Sequence, residues 1–274
     1  MGVNNKTDIF LYRLMEDAGD YVMHKTADSG ILNDKKTTIR SLMNIRMPGG
    51  ISDELLNAQD AYLAQELKVK GVVKLSDIPV IDGYEKISIW QGDITRLEVG
   101  AIVNAANSQM LGCFIPCHRC IDNAIHSAAG MQLREACSHI MQEKRMRYGR
   151  QYEEPVGGAV LTKGYNLPCD YVIHTVGPIV YGELTDALRE DLCRCYESVL
   201  HCCVENGIRS VAFCCISTGE FHFPNEEAAE IAVKAVTDFL DTHADAMDRV
   251  IFNVFKDSDR EIYEKLVRAF LADM

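Results

Sequence analysis

Between Gly112 and Cys120 the chain reads Gly-Cys-Phe-Ile-Pro-Cys-His-Arg-Cys, placing three thiols and one imidazole within a few residues. Thiolate and neutral imidazole are the donors that Zn2+ prefers, at about 2.0–2.3 Å in a tetrahedron. Pro116 and the shortness of the segment keep it irregular, so Cys113, His118 and Cys120 can converge. Cys117 and His118 are adjacent and point apart in an extended chain, which argues against both serving as ligands. Three protein donors leave a fourth position for water or substrate, the catalytic form of a zinc site. Recruitment of Cys117 would instead close a structural one. The donor set favours a metal over a mere cluster of free thiols.

Two further loops carry polar groups at the ends of expected strands. Ile216-Ser217-Thr218-Gly219-Glu220-Phe221-His222-Phe223-Pro224 leads from a strand into a helix near Asn225. Such a turn presents backbone N–H groups at a helix N-terminus, a cradle for phosphate oxygens. Glu220 would repel phosphate if it pointed inward, so it is expected to face solvent or the metal side. Gln91-Gly92-Asp93-Ile94-Thr95 stands near Asn104 and Asn107. Asp93 can accept from an exocyclic amine, and the two asparagines can aim amides at ligand hydroxyls, although all three types are also routine turn formers. Pro116-Cys117-His118-Arg119-Cys120 matches half of the nucleobase deaminase signature, but the required His-x-Glu is absent and Cys-x-Glu, as in Cys203 to Glu205, occurs only downstream. The remaining cysteines, Cys137 and Cys169 among them, read as small apolar residues without evident partners.

The elements that must position these loops alternate. Expected strands are Ile87–Gln91, Ala101–Ala105, Ala159–Thr162, Tyr171–Val176, Val211–Cys215 and Val250–Phe255. Between them lie one-faced helical patterns such as Leu188, Leu192, Cys195, Val199 and Cys202, and a last one on Ile262, Leu266 and Phe270 behind a Ser258-to-Glu261 capping box. Strands spaced by helices mean crossovers and a largely parallel sheet covered on both faces, with ligands at the carboxyl ends of strands. Residues 1–80 differ: Ser52 can cap a helix carrying Leu55, Leu56, Tyr62, Leu63 and Leu67, and shorter helical patterns surround Phe10 and Ile39. This predicts a small helical extension, joined through Lys74–Gly83 to a domain spanning 84–274.

The chain holds 274 residues with 40 acidic and 28 basic side chains, a net charge of −12. That balance opposes sequence-independent nucleic-acid binding, which needs a basic surface. No apolar run is long enough to span a membrane, and Met1–Tyr21 is broken by Asp8, Arg13, Glu16 and Asp17, unlike a signal peptide. Eleven cysteines, an odd number in a long chain, fit reduced thiols in a cytoplasm.

Taken in order, Gln91–Thr95, Ile102-Val103-Asn104-Ala105-Ala106-Asn107, Ile121-Asp122-Asn123-Ala124-Ile125-His126, Thr162-Lys163-Gly164-Tyr165 with Tyr171–Pro178, and Ile216–Pro224 resemble the macrodomain family. The resemblance covers about Tyr84 to the C-terminus. It implies a three-layer α/β/α sandwich on a mixed six-stranded sheet, with ADP-ribose in its cleft. On matching positions, Asp93 would accept from the adenine amine beside the Ile94 backbone, and Asn107 would sit by the distal ribose. The backbone of Ser217, Thr218, Gly219, Glu220 and Phe221 would hold the diphosphate. Asp122 falls where many hydrolytic macrodomains carry a carboxylate, and His174 belongs to a strand motif with a structural role. One departure is informative: the usual run of glycines before Asp122 is replaced by the Cys113, His118 and Cys120 cluster. In this the chain resembles the zinc-containing bacterial subgroup, which also has a helical N-terminal extension. That subgroup removes mono-ADP-ribose from proteins, alongside a sirtuin-type transferase and a lipoyl-carrier protein. A second departure is His222, where a small residue is usual. The expectation is thus a zinc-dependent mono-ADP-ribosyl hydrolase, with Asp122 and Asn107 at the reacting end. The alternative is a module that binds ADP-ribose without cleaving it and uses zinc only to stiffen a loop.

Overall fold

The computed structural model describes residues 5–27 and 34–272; the first four residues of the Met1–Tyr21 segment lie outside them. Three helices come first: α1 (Lys6–Ala27), α2 (Lys35–Ile45) and α3 (Asp53–Lys70). Asp34 caps α2 by accepting from Lys36 N and Thr37 N, and Ser52 caps α3 by accepting from Leu55 N. Each such cap is worth about 1 kcal/mol. Helix α1 kinks at Gly19, whose φ of 67° lies outside helical space. The three helices pack Phe10, Leu14, Ile39, Leu42, Leu55 and Tyr62 into a core of their own, which Met131 joins from the neighbouring domain.

The rest alternates strands and helices. β1 (Val73–Lys74) pairs in parallel with β3 (Leu97–Glu98) in a short two-stranded sheet, an element the Lys74–Gly83 connection conceals in sequence. The main sheet comprises β2 (Ile87–Gln91), β4 (Ala101–Ala106), β5 (Val160–Lys163), β6 (Tyr171–Val176), β7 (Ser210–Phe213) and β8 (Arg249–Val254), in the order β2-β8-β7-β4-β6-β5. All neighbours are parallel except β5, which runs against β6, so the sheet is mixed. Helices α4 (Ile121–Ala129), α5 (Met131–Tyr148), α6 (Asp186–Glu205), α7 (Asn225–Thr242) and α8 (Asp257–Ala272) flank it. Ile102, Val103, Val172, Ile173, Val211, Ile251 and Phe252 are buried between the layers. This is the expected three-layer α/β/α arrangement with a helical N-terminal region.

Two boundaries differ from expectation for local reasons. Helix α8 begins at Asp257, so Ser258 sits inside the first turn and no Ser258 cap forms. Strand β7 ends at Phe213 and leaves Cys214 and Cys215 beyond it, because β7 and β4 pair only at Ala101–Val211 and Ile102–Ala212. On its other side β4 follows β6 over six residue pairs. The strands therefore part between β4 and β7 at their carboxyl ends. This is the place where chain direction switches sides and where a ligand crevice forms in such sheets.

Candidate functional site

The loop after β4 forms one wall of this crevice. Gly112 opens it at φ 77°, and a Cβ there would lie 2.8 Å from the His126 ring, so glycine is required. The donor atoms of Cys113, His118 and Cys120 all lie within 4.8 Å of one another. Cys113 Sγ stands 3.6 Å from His118 Nδ1, the spacing of two ligands sharing a tetrahedral zinc with bonds of about 2.0–2.3 Å. Cys120 caps α4, its Sγ accepting from Asn123 N, and burial pushes its thiol up to about 12. Cys117 takes no part in this convergence. With φ at 54°, it turns its thiol towards α2, 3.2 Å from Ser41 Oγ and 3.5 Å from the Thr37 carbonyl. Two sulfurs and one nitrogen at this spacing fit zinc.

Beneath the loop lies Asp122, only 5% exposed. Asn104 Nδ2 donates to its Oδ1 at 2.8 Å, and Asn107 Nδ2 donates to Oδ2 at 3.4 Å. His126 Nε2 lies 3.4 Å from the same Oδ1, one helical turn on. Burial pushes the Asp122 carboxyl up to about 6, against the Asn104 bond and the positive field of Arg134. Asn104 is a correction to the sequence reading, which aimed its amide at a ligand. It is fully buried, paired across the sheet with His174, and spends its amide hydrogens on Asp122 and on His174 Nδ1, 3.1 Å away. His174 Nε2 meets Thr162 Oγ1 at 2.9 Å, so the neutral ring accepts from Asn104 and donates to Thr162. Burial holds the His174 pKa down to about 3.

Cys137, without a partner in sequence terms, sits with Sγ 3.8 Å from His174 Nε2, and His126, Cys137 and His174 form a second convergence of donors. Both nitrogens of His174 are already engaged by protein groups, so this buried trio reads as packed core supporting Asp122.

The opposite wall is the loop after β7. Phe223 N donates to Ser217 O, His222 N to Gly219 O, and Thr218 N and Oγ1 to Cys215 O. The N–H groups of Gly219, Glu220 and Phe221 have no partner among the described residues, and a Cβ on Gly219 would meet nothing within 4 Å. Open space in front of unspent N–H groups is what an anion cradle requires. Ser217 and His222 both have positive φ, 65° and 57°, backbone that non-glycine residues rarely adopt. Glu220 is exposed, and its Oε1 reaches across the crevice to within 3.6 Å of His118 Nε2.

At the far end, Asp93 caps a short turn over Ile94–Arg96. Its Oδ1 accepts from Thr95 N and Oγ1 at 3.1 and 2.6 Å, and its Oδ2 receives Lys70 Nζ at 3.1 Å. Burial would raise its pKa, but the Thr95 bonds and Lys70 hold it below the ordinary value. Ile94 beside it is buried and fixes the turn to the core.

Sequence reasoning missed Arg40, Asn44 and Arg134, which fasten the loop that carries Cys113, His118 and Cys120. Their partners lie 21 to 91 positions away, beyond any motif.

A family model described as Macro domain matches residues 103–232. A protein-ADP-ribose hydrolase of Treponema medium is 48% identical over 237 residues, covering 86% of this chain and 88% of that one. The chain belongs to the macrodomain family. Among solved macrodomains, that of Oceanobacillus iheyensis with MES bound aligns at a TM-score of 0.62 and 34% identity, covering 69% of this chain and 93% of that one. The Trypanosoma brucei macrodomain in complex with ADP-ribose aligns at 0.63 and 30%, covering 83% and 94%. As a macrodomain, this chain places the Cys113, His118 and Cys120 cluster on the crevice wall opposite the N–H cradle. No helix among its described residues is long and apolar enough to cross a membrane.

Proposed function

We propose that this macrodomain is a zinc-dependent hydrolase that releases mono-ADP-ribose from modified protein side chains. The observation that carries it is the convergence of Cys113, His118 and Cys120 with Cys117 turned away, which leaves the fourth position of a tetrahedral site to a water or a substrate oxygen. The resemblance to a protein-ADP-ribose hydrolase and to a macrodomain complexed with ADP-ribose supports the choice of ligand.

In this reading Asp93 and Ile94 receive the adenine, and the Ser217–Phe221 backbone donates to the diphosphate. Asn107, fixed by Asp122 below it, meets the distal ribose. Cys113, His118 and Cys120 hold the zinc; when bound, it supplies Lewis acidity that lowers the pKa of a water or polarises an oxygen at the scissile linkage. Asp122 orients the attacking water or the ribose hydroxyls through Oδ2, which it shares with the Asn107 amide. A protein partner of the lipoyl-carrier type, modified by a sirtuin-type transferase, is the first substrate to try.

The test uses a mono-ADP-ribosylated protein and measures free ADP-ribose. The intact chain should release it, while His118→Ala and Cys120→Ala should bind ADP-ribose yet release none. Binding of the modified protein by the intact chain without any release would make it a reader with a structural metal.

A further inference from the structure

The metal-binding loop contains no helix or strand between Gly112 and Cys120, and two of its residues, Gly112 and Cys117, occupy left-handed backbone. Fixing such backbone costs about 1–2 kcal/mol per residue, so something outside the loop must hold its shape for three donors to meet. Internal bonds are few: His118 N to Ile115 O, and Asn123 Nδ2 to Ile115 O. Asn107 Nδ2 adds one bond to the Gly112 carbonyl, and most of the others come from α2 in the N-terminal region and from Arg134.

Arg40 does most of this. One guanidinium nitrogen donates to the His118 carbonyl at 3.1 Å, and Nε and Nη2 donate to Asn123 Oδ1 at 3.1 and 2.8 Å. Asn123 N in turn donates to Cys120 Sγ. Arg40 thus reaches two of the three donors, His118 through its backbone and Cys120 through Asn123. Asn44 accepts from Cys117 N at 2.9 Å and donates to Ser127 on α4, pinning the residue between Pro116 and His118. Arg134 closes the set, donating to the Leu111 carbonyl, more weakly to that of Cys113, and to the Met43, Asn44 and Arg46 carbonyls at the end of α2.

We infer that helix α2 is the positioning element of the metal site, with Arg40 and Asn44 as positioning residues that preset His118 and Cys120 for the ion. The inference rests on the zinc reading above and assigns the N-terminal helices a role in that site. It also gives the fourth sulfur–imidazole neighbour, Cys117, a use as an anchor on Ser41.

The test is the zinc affinity of the full chain by competition with a chromophoric chelator, alongside ADP-ribose affinity and turnover. Arg40→Ala should bind zinc about 10- to 100-fold more weakly, the range seen when groups orienting metal ligands are removed. Its ADP-ribose affinity should hold, because adenine and diphosphate are received on other loops. Arg40→Lys should fall between, since an ammonium cannot serve two acceptors as a planar fork does. It also carries the test if Arg40→Ala fails to fold. Lys36→Ala, on the same helix as Arg40, loses only an ion pair to Glu66 on α3 and should match the unaltered chain. Unchanged zinc affinity in both Arg40 variants, or equal loss in Lys36→Ala, would overturn the inference while leaving the zinc reading intact. An unaltered chain that takes up no zinc would overturn both.

Discussion

His118 Nε2 stands 3.6 Å from Glu220 Oε1, while the other ring nitrogen of His118 faces the Cys113 thiol at 3.6 Å. One imidazole thus joins the loop after β4 to the loop after β7. A histidine that binds metal through one nitrogen usually presents the other to a carboxylate or carbonyl, which fixes its orientation. Glu220 occupies that place. Because its side chain is 67% exposed, Glu220→Ala should cost about 10-fold in zinc affinity, the low end for such partners. Glu220→Gln, which still offers an oxygen, should recover most of it. Chelator competition on the two variants decides, and equal affinity in both and in the parent would show the contact to be idle.

Cys117 provides a sharper contrast within the same loop. Its thiol meets Ser41 and the Thr37 carbonyl on α2, away from the three donors. Cys117→Ser should keep one zinc per chain and most of the turnover. Cys120→Ser should lose the metal under the same dialysis, because a hydroxyl is a far poorer zinc ligand than a thiolate. Metal content by elemental analysis checks this, and zinc loss in Cys117→Ser would signal a closed four-donor site.

At the end of the crevice where the proposal places the adenine, Asp93 is held ionised by Thr95 and Lys70. Asp93→Ala should weaken ADP-ribose binding by about 10-fold or more, the loss of one hydrogen bond to a charged acceptor. Lys70→Ala should change it less than about 5-fold, since a half-exposed ion pair contributes about 1 kcal/mol at most. Calorimetric titration with ADP-ribose distinguishes the two.

The buried network under Asp122 sets an acid limit on stability. His174 is held neutral with its pKa near 3, against an ordinary value of 6.5. The unfolded chain therefore binds the extra proton first. Stability is fully present above pH 6.5 and is lost as pH falls from there towards 3, by on the order of 2 kcal/mol at pH 5. His126 is displaced in the same direction by burial and by its neighbours His174 and Arg134, while Asp122, raised to about 6, takes up its proton first in the folded chain and offsets part of that loss. Thermal unfolding between pH 7.5 and 5 should show a steady fall in Tm, and His174→Gln should flatten it. A Tm independent of pH over that range would contradict the neutral assignment.

The alternation of strands and helices was legible because burial on both faces demands apolar runs at every strand, as in Ile87–Gln91 and Tyr171–Val176. The convergence of Cys113, His118 and Cys120 was legible for a different reason: thiol and imidazole chemistry is rare enough to stand out at short spacing. What could not be read was anything fixed by register or by distant packing. Asn104 looks like a ligand-facing amide until its pairing with His174 in β6 turns it inward. Arg40 looks like an ordinary basic residue on a helix until the fold brings α2 against α4 and the loop before it. The capping box at Ser258 failed because Asp257, one residue earlier, already begins the helix.

The most direct measurement is ADP-ribose release from a mono-ADP-ribosylated protein by metal-stripped chain, followed as zinc is added back in known equivalents. Release should be absent at the start and rise in proportion to zinc until one ion per chain is bound. Full release by the stripped chain, unaltered by added zinc, would contradict the account.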